Sequence, residues 1–399
     1  MKRFTGALTS DRTNALALQT VADAVRMARR RLPRPVFDYI DGGAGAEVTM
    51  AQNLADFNAV RFAPKFGTTV GVERREIATN VLGQQISMPV LVGPVGFTRS
   101  MHPDGDVGGR VAAAAAGTVF VHSSMSGHSI TEVANAATGA PYWFQLYFLG
   151  GRQGAEQLVA RASHANADAL VVTLDTPVPG NRERDLQYGA ALPIRINRKT
   201  MRRMAPYVAG HPRWLYNTAR DHFTLNLANA VGLTKDGSPL SEDETLLHWI
   251  VEPPTWDDIA WIREQWTKPL IVKGIVTGDD ARRAVDLGAD AVIASNHGGR
   301  QLDQVASSLS ALADVRRAVG DECVVMVDGG IRRGSDVVAA LCLGADATLL
   351  GRAWVYGLAA AGTSGVTRVL DIVKADIIRT MQLLGARTLP ELRGHFTTP

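Results

Sequence analysis

"GADAVIAS" (288–295) reads as the end of a helix, a tight turn and a fully buried strand. The phrase returns as "NADALVVT" (166–173) and "GADATLLG" (344–351), each time a small residue and Ala-Asp-Ala before a short apolar or β-branched run. Five similar runs, "MPVLVG" (88–93), "TVFVHSS" (118–124), "YWFQLYF" (142–148), "PLIVKG" (269–274) and "CVVMVDGG" (323–330), complete a set of eight predicted strands. Helical patterns fill most intervals, as at 106–117, 153–165, 278–288 and 335–344. Eight strands alternating with helices form an open doubly wound sheet or a closed (β/α)8 barrel. A dinucleotide-binding sheet would carry G-x-G-x-x-G after its first strand, and "GPVGF" (93–97) lacks that spacing. The expectation is an α/β chain folded as a (β/α)8 TIM barrel.

The strand spacing breaks once. Roughly seventy extra residues, about 180–254, follow the fourth strand, far more than an ordinary connection needs. They hold the basic "RINRKTMRR" (195–203) and the aromatic "HPRWLY" (211–216). Such an insertion is expected to cover or shape the site at the barrel mouth. Residues 1–85 are expected to form an N-terminal helical cap, from the helical spacing of 14–32, which Pro33 and Pro35 then interrupt. The barrel proper should occupy 86–389 within a single domain spanning 1–399.

Composition narrows the class. The 399 residues are 46% hydrophobic and 20% charged, the balance of a globular protein. A formal net charge of +3 argues against nucleic acid as the main partner. Two cysteines, Cys323 and Cys342, make no disulfide framework and fit a reducing compartment. The N-terminus shows no apolar signal region, and the longest uncharged stretch, 111–131, contains "HSSMSGHS" and is no membrane span. A cytoplasmic protein is expected, with peripheral membrane contact left open by the 195–203 cluster.

In a barrel the strand ends share one mouth. Read in order they are Gly96; Ser123; Gln145 and Tyr147; Thr173 and Asp175; Lys273; Ser295 and His297; Asp328; and Gly351 with Arg352. The glycine-rich "DGGIRRG" (328–334), with Gly329, Gly330 and Arg332, and "GR" (351–352) end strands seven and eight, where barrels commonly bind phosphate. Lys273 could form a Schiff base or neutralise an anionic cofactor group. Gln145, Thr173 and Ser295 could satisfy the edge of a heteroaromatic ring. A flat polar-edged ring with a phosphate tail, such as flavin mononucleotide (FMN), accounts for the set. Arg182 and Arg300 could clamp a carboxylate, and His297 could act as a base oriented by Asp175, with Tyr39 and Tyr147 beside them. No metal site is read.

The ordered set "LPRPVFDYIDGGA" (32–44), "FQLY" (144–147), "TLDTPVPGNRERD" (173–185), "VKG" (272–274), "SNHGGRQLD" (295–303) and "DGGIRRGSDV" (328–337) resembles the FMN-dependent L-2-hydroxy acid oxidases and dehydrogenases. This group includes glycolate oxidase, lactate monooxygenase, and lactate and mandelate dehydrogenases. The likeness extends from residue 32 to "IIRTMQLLGARTL" (377–389), nearly the whole chain.

The resemblance implies His297 as base paired with Asp175, and Arg182 and Arg300 on the substrate carboxylate. Tyr39 and Tyr147 would bond the carboxylate and hydroxyl. Lys273 would sit at the flavin pyrimidine edge; Ser123, Gln145, Thr173 and Ser295 would contact the ring; and Pro94, Val95 and Gly96 would approach its reactive edge. Residues 328–333 and 351–352 would take the phosphate. The substrate would be a small 2-hydroxy acid, the electron acceptor oxygen, a quinone or another acceptor, and the assembly a homo-oligomer, typically a tetramer.

Three positions depart from the family pattern. "PVG" (94–96) replaces the frequent PT[AG] and so lacks the threonine side chain; Met125, lining the substrate pocket, stands where some relatives carry a large aromatic and is expected to favour a bulkier or more apolar substrate side chain; and Gly96, also at the substrate pocket, in place of alanine is expected to leave space beside the flavin. Three other readings stay open: a flavin enzyme acting on a carrier-bound or peptide-derived hydroxy acid or amine, a lysine-dependent aldolase using Lys273, and a non-catalytic scaffold.

Overall fold

The computed structural model describes residues 11–67, 75–188, 198–221, 227–393 and 395–397. Eight strands, β1 (Val90–Val92), β2 (Phe120–Ser123), β3 (Tyr142–Leu146), β4 (Ala169–Thr173), β5 (Leu270–Ile275), β6 (Ala291–Ala294), β7 (Val324–Val327) and β8 (Ala347–Leu350), close a parallel barrel in chain order, with β8 returning to β1. Both faces of each strand are buried, which is why the strands read as unbroken apolar runs. Inward residues such as Leu91, Val121, Trp143, Val171, Ile293 and Met326 fill the barrel, while Val90, Phe120, Val172, Val272 and Val327 pack against the surrounding helices.

The repeated Ala-Asp-Ala phrase has a physical role at the bottom of this barrel. The carboxylates of Asp168, Asp290 and Asp346 accept the backbone N–H of Tyr142, Leu270 and Val325, each at the start of the preceding strand, at 2.7–2.8 Å. The small residue two places earlier, Asn166, Gly288 or Gly344, takes the left-handed conformation that ends a helix. The phrase therefore locks neighbouring strands in register.

The N-terminal segment is helical but not only helical. The stretch 14–32 is broken at 17–20, where Thr20 and Asp23 form a capping box that starts α1 (Val21–Arg31). Pro33 and Pro35 then set the break before α2 (Arg34–Asp41), and α3 (Val48–Ala59) follows. A hairpin, Thr79–Val81 with Gln84–Ile86, turns at Leu82 and Gly83, both at positive φ. Its Val81 and Ile86 join the barrel-interior cluster, so the hairpin plugs the barrel. Three-residue strands are too short for periodicity to reveal. After β1, α4 (Gly105–Ala115) packs near the C-terminal helix.

The long connection after β4 carries α5 (Glu183–Leu186), α6 (Arg198–Ala209), α7 (Pro212–Arg220), a short hairpin at 234–239 and α8 (Glu242–Val251). The expected 195–203 cluster lies partly outside the described residues; Arg202 and Arg203 are exposed. Helix α9 (Arg352–Leu384) follows β8 and bends at Ala361–Gly362, where Asp104 accepts the N–H and hydroxyl of Thr363; beyond it Phe396–Thr397 pairs antiparallel with Arg61–Phe62. Among the described residues no helix is long and apolar enough to cross a membrane.

Candidate active site

The C-terminal strand ends surround a cavity of about 1160 Å³, part of it open to solvent. At the end of β6, His297, Gly298 and Gly299 take φ values of 59°, 65° and 75°. A Cβ on Gly298 would lie 2.8 Å from Arg352 Nη1, and one on Gly299 would lie 2.6 Å from the Met50 backbone nitrogen. Positions 298 and 299 therefore favour glycine, and the turn they make presents His297. The imidazole Nδ1 is 3.0 Å from Asp175 Oδ1 and its Nε2 is 3.4 Å from the Tyr147 hydroxyl.

Asp175 stands behind His297 and does not line the cavity. Burial alone would raise its pKa, but its pairing with His297 and the charge of Lys273 outweigh that and hold it below the usual carboxylate range. An ionised Asp175 fixes the proton on Nδ1 and leaves Nε2 to accept one. Burial, and then Asp175, push the Tyr147 phenol well above its ordinary pKa, so it stays a hydrogen-bond donor.

Lys273, in the second half of β5, donates to Ser295 Oγ at 2.8 Å and pairs with Asp328 Oδ2 at 3.2 Å; Ser295 Oγ donates to Asp328 Oδ1 at 2.6 Å. Burial opposes the ammonium charge, but Asp328 and Asp175 more than offset it and raise the pKa. Lys273 is therefore a fixed cation, not the free amine that Schiff-base chemistry requires. Ser295 does not line the cavity: its hydroxyl serves Lys273, Asp328 and the His297 N–H. Ser123, Gln145 and Thr173 do line it, linked side chain to side chain at 3.0–3.1 Å.

Pro94, Val95 and Gly96 form the wall after β1. The space expected beside Gly96 is taken: a Cβ there would lie 2.8 Å from the Cβ of Met125. Glycine at 96 thus seats Met125 rather than opening a void. Tyr39, at the end of α2, has the Arg182 and Arg300 guanidinium carbons 5.5 Å and 5.0 Å from its ring centre. Arg300 Nη1 donates to the carbonyls of Tyr39 (2.7 Å) and Gly42 (2.8 Å). Burial and then the nearby Arg182 charge lower the Arg300 pKa, while Asp185, 3.3 Å from Arg182 Nε, partly offsets them.

Gly329, Gly330, Arg332, Gly351 and Arg352 line the far end, next to Asp328. A Cβ on Gly351 would meet nothing within 4 Å, so the chain leaves room there for a group to approach its backbone. Gly330 instead lets α3 come close, since a Cβ there would lie 2.4 Å from the Asn53 carbonyl oxygen. Arg352, read from the sequence as a phosphate ligand, is committed elsewhere as well. Its Nε, Nη1 and Nη2 donate to the carbonyls of Ile40, Gly298 and Gly42, each at 2.8 Å. Burial and then Arg300 bring its pKa down to about 9.

Several lining residues, Trp249 and Phe97 among them, were not singled out from the sequence. Trp249, on α8 of the insertion, packs against Tyr147 with ring centres 5.2 Å apart and planes tilted by 39°. Phe97 stands edge-on to Tyr39 at 5.9 Å. The length of the insertion foretold that something would reach the mouth, but not which residue.

A sequence profile of the FMN-dependent dehydrogenases matches residues 28–398. The chain belongs to this family. It is 41% identical over 384 residues to L-lactate dehydrogenase of Caulobacter sp. (strain K31), covering 94% of this chain and 97% of that protein. It is also 41% identical over 379 residues to pre-mycofactocin synthase of Mycolicibacterium smegmatis, covering 94% and 92%. The crystal structure of the monotopic membrane protein (S)-mandelate dehydrogenase superposes with a TM-score of 0.87 at 38% identity, over 96% of this chain and all of that one. The cofactor of this chain is FMN and the protein is an oxidoreductase. The cavity suits FMN: a polar-edged section beside a fixed ammonium runs to a glycine backbone with open space in front of it.

Proposed function

We propose that this chain oxidises an L-2-hydroxy acid to the 2-oxo acid. The observation that carries the proposal is the His297–Asp175 pair beside Tyr147, with two cations around Tyr39 in the same cavity. Arg182, Arg300 and Tyr39 hold the substrate carboxylate, Arg300 offering the guanidinium face not spent on carbonyls. Tyr147 donates to or accepts from the hydroxyl, and His297 Nε2 takes the proton the substrate loses. Asp175 stabilises the imidazolium that results. FMN, when bound, supplies the acceptor for the two electrons. Ser123, Gln145, Thr173 and Lys273 would hold its ring, and the 328–332 and 351–352 turns its phosphate.

An anaerobic visible spectrum of the flavoprotein with a panel of L-2-hydroxy acids tests this directly. Bleaching by one of them is expected, and in His297→Ala the flavin should stay bound while its reduction slows by several orders of magnitude. Near-wild-type reduction in that variant would sink the assignment.

A second reading, oxidation of a carrier-bound or peptide-derived hydroxy acid or amine in a biosynthetic pathway, is supported by a relative named as a synthase, pre-mycofactocin synthase, which is as similar as the L-lactate dehydrogenase. A flavin that no free hydroxy acid bleaches would select it. Peripheral membrane contact is also part of the proposal. Tyr207, Leu215 and Tyr216 are exposed on α6 and α7 beside Arg202 and Arg203, and the mandelate dehydrogenase of similar fold is described as monotopic. Co-sedimentation with anionic vesicles, lost at high salt, checks it.

A further inference from the structure

Behind the cavity wall, two loops meet on a single carboxylate oxygen. Asp106, in the first turn of α4, is fully buried. Its Oδ2 accepts the hydroxyls of Thr98 (2.5 Å) and Ser126 (2.7 Å), while its Oδ1 has no partner among the described residues. Thr98 lies two residues past Gly96 in the loop after β1. Ser126 lies one residue past Met125 in the loop after β2. These are the loops that bring Gly96, Phe97 and Met125 to the cavity. They also touch directly, Phe97 N–H donating to the Met125 carbonyl at 2.9 Å.

Between Gly96 and Thr98 the chain passes through Phe97 at φ 58°, ψ 24°. A bulky aromatic residue rarely adopts this left-handed conformation, and such strain persists only where its surroundings over-determine it. Three contacts do so here: the Phe97 N–H bond to the neighbouring loop, the edge-on ring of Tyr39, and the Thr98 hydroxyl on Asp106. A buried carboxylate served by two hydroxyls and no cation is itself costly, and burial pushes its pKa up to about 6. A costly group holding a strained turn at the edge of a ligand cavity has a use in that cavity.

We infer that Asp106 is a positioning residue: its Oδ2 fixes the β1 and β2 loops against each other and so sets the wall, Gly96, Phe97 and Met125, against which the flavin and the substrate side chain lie. It touches neither. The effect reaches the carboxylate clamp as well, because the Phe97 ring packs on Tyr39. The substrate half of this inference rests on the hydroxy acid reading; the flavin half does not.

The test compares three variants of the FMN-loaded protein. Asp106→Ala removes both bonds. Asp106→Asn keeps an oxygen that can accept both hydroxyls, at some cost in stability for the amide left without a partner. Thr98→Val with Ser126→Ala removes the donors and keeps the carboxylate. In Asp106→Ala and in the double variant, the visible circular dichroism of the bound flavin should change. The Kd of a 2-oxo acid product, followed by the flavin difference spectrum, should rise about tenfold, and KM with it, while the limiting rate of flavin reduction changes less. Asp106→Asn should restore all three.

If Asp106→Ala lowers only the Tm or the FMN occupancy, and the loaded fraction keeps wild-type dichroism and Kd, the residue is merely structural and the inference is overturned. Should Asp106→Ala fail to fold, Thr98→Val alone decides by the same two measurements. If the wild-type flavin is reduced by no hydroxy acid, the proposed reaction fails, while the flavin dichroism still decides the role of Asp106.

Discussion

Replacing Asp175 by Asn isolates the electrostatic part of the proposed base. The amide is nearly isosteric, so His297 keeps a neighbour 3.0 Å from Nδ1 but loses the negative charge. At a separation of about 4 Å and an effective dielectric near 20, the Coulomb attraction between a carboxylate and an imidazolium forming beside it is roughly 4 kcal/mol. If the imidazolium is fully formed in the transition state, Asp175→Asn should slow flavin reduction about a thousandfold. The variant should still hold FMN, because Asp175 does not line the cavity, and should bind the 2-oxo acid nearly as well as wild type, because the clamp is intact. The assay is anaerobic stopped-flow at saturating hydroxy acid, following the flavin absorbance. A reduction rate within tenfold of wild type would refute the pairing as a source of catalysis. A thousandfold loss accompanied by weak 2-oxo acid binding would refute it differently, by showing that Asp175 supports the clamp instead.

Arg300→Lys should raise KM by roughly ten- to a hundredfold with a smaller change in kcat, since an ammonium cannot bind the Tyr39 and Gly42 carbonyls and present a planar fork to a carboxylate; an unchanged KM counts against the clamp. Gly298→Ala forces a Cβ into a φ of 65° and to within 2.8 Å of Arg352 Nη1, so stability should fall by about 1–2 kcal/mol or more; an unchanged Tm by calorimetry contradicts this. His102 lies 3.5 Å from both Asp11 and Asp104; burial opposes its charge, but the two carboxylates prevail and raise its pKa to about 9. Because the folded pKa exceeds the unfolded value near 6.5, this stabilisation is complete below that pH and is lost as the pH climbs through 9, on the order of 3 kcal/mol in all. Denaturant titrations of wild type and His102→Gln at pH 6 and pH 9.5 should differ in pH dependence by that amount, and parallel losses in both would disprove it.

The barrel was legible because a strand buried on both faces leaves a continuous apolar run, and because Asp168, Asp290 and Asp346 repeat one register-setting contact. The site was legible where a residue's type is unusual for its place: a lysine ending an apolar strand, a histidine before two glycines. It was not legible where burial reverses a residue's ordinary meaning. Asp106 opens the helical pattern 106–117, where an aspartate ordinarily faces solvent in the first turn, yet it is wholly buried between two loops. Trp249 belongs to an insertion whose helical spacing says which face is apolar, not that one ring will reach Tyr147. Nor can local sequence show that a Cβ at Gly96 would collide with Met125, twenty-nine residues away, because the collision exists only once two barrel strands are paired.

The arginines of "HGGR" and "GR" show how the N-terminal segment enters the chemistry. The last carbonyls of a helix have no partners within it. At the end of α2 those of Tyr39, Ile40 and Gly42 are taken by Arg300, from the loop after β6, and Arg352, from the end of β8. Arg352 also donates to Gly298, inside the His297 turn. One guanidinium therefore joins the helix that bears Tyr39, the turn that bears the proposed base, and the lining of the section suited to phosphate. A cap held only by surface packing could slide by an ångström without unfolding. A cap held by hydrogen bonds from two arginines rooted in the barrel cannot do so without leaving buried charge unpaired, and this fixes Tyr39 and Ile40 in the lining of a cavity whose other walls come from barrel strand ends and the connections that follow them.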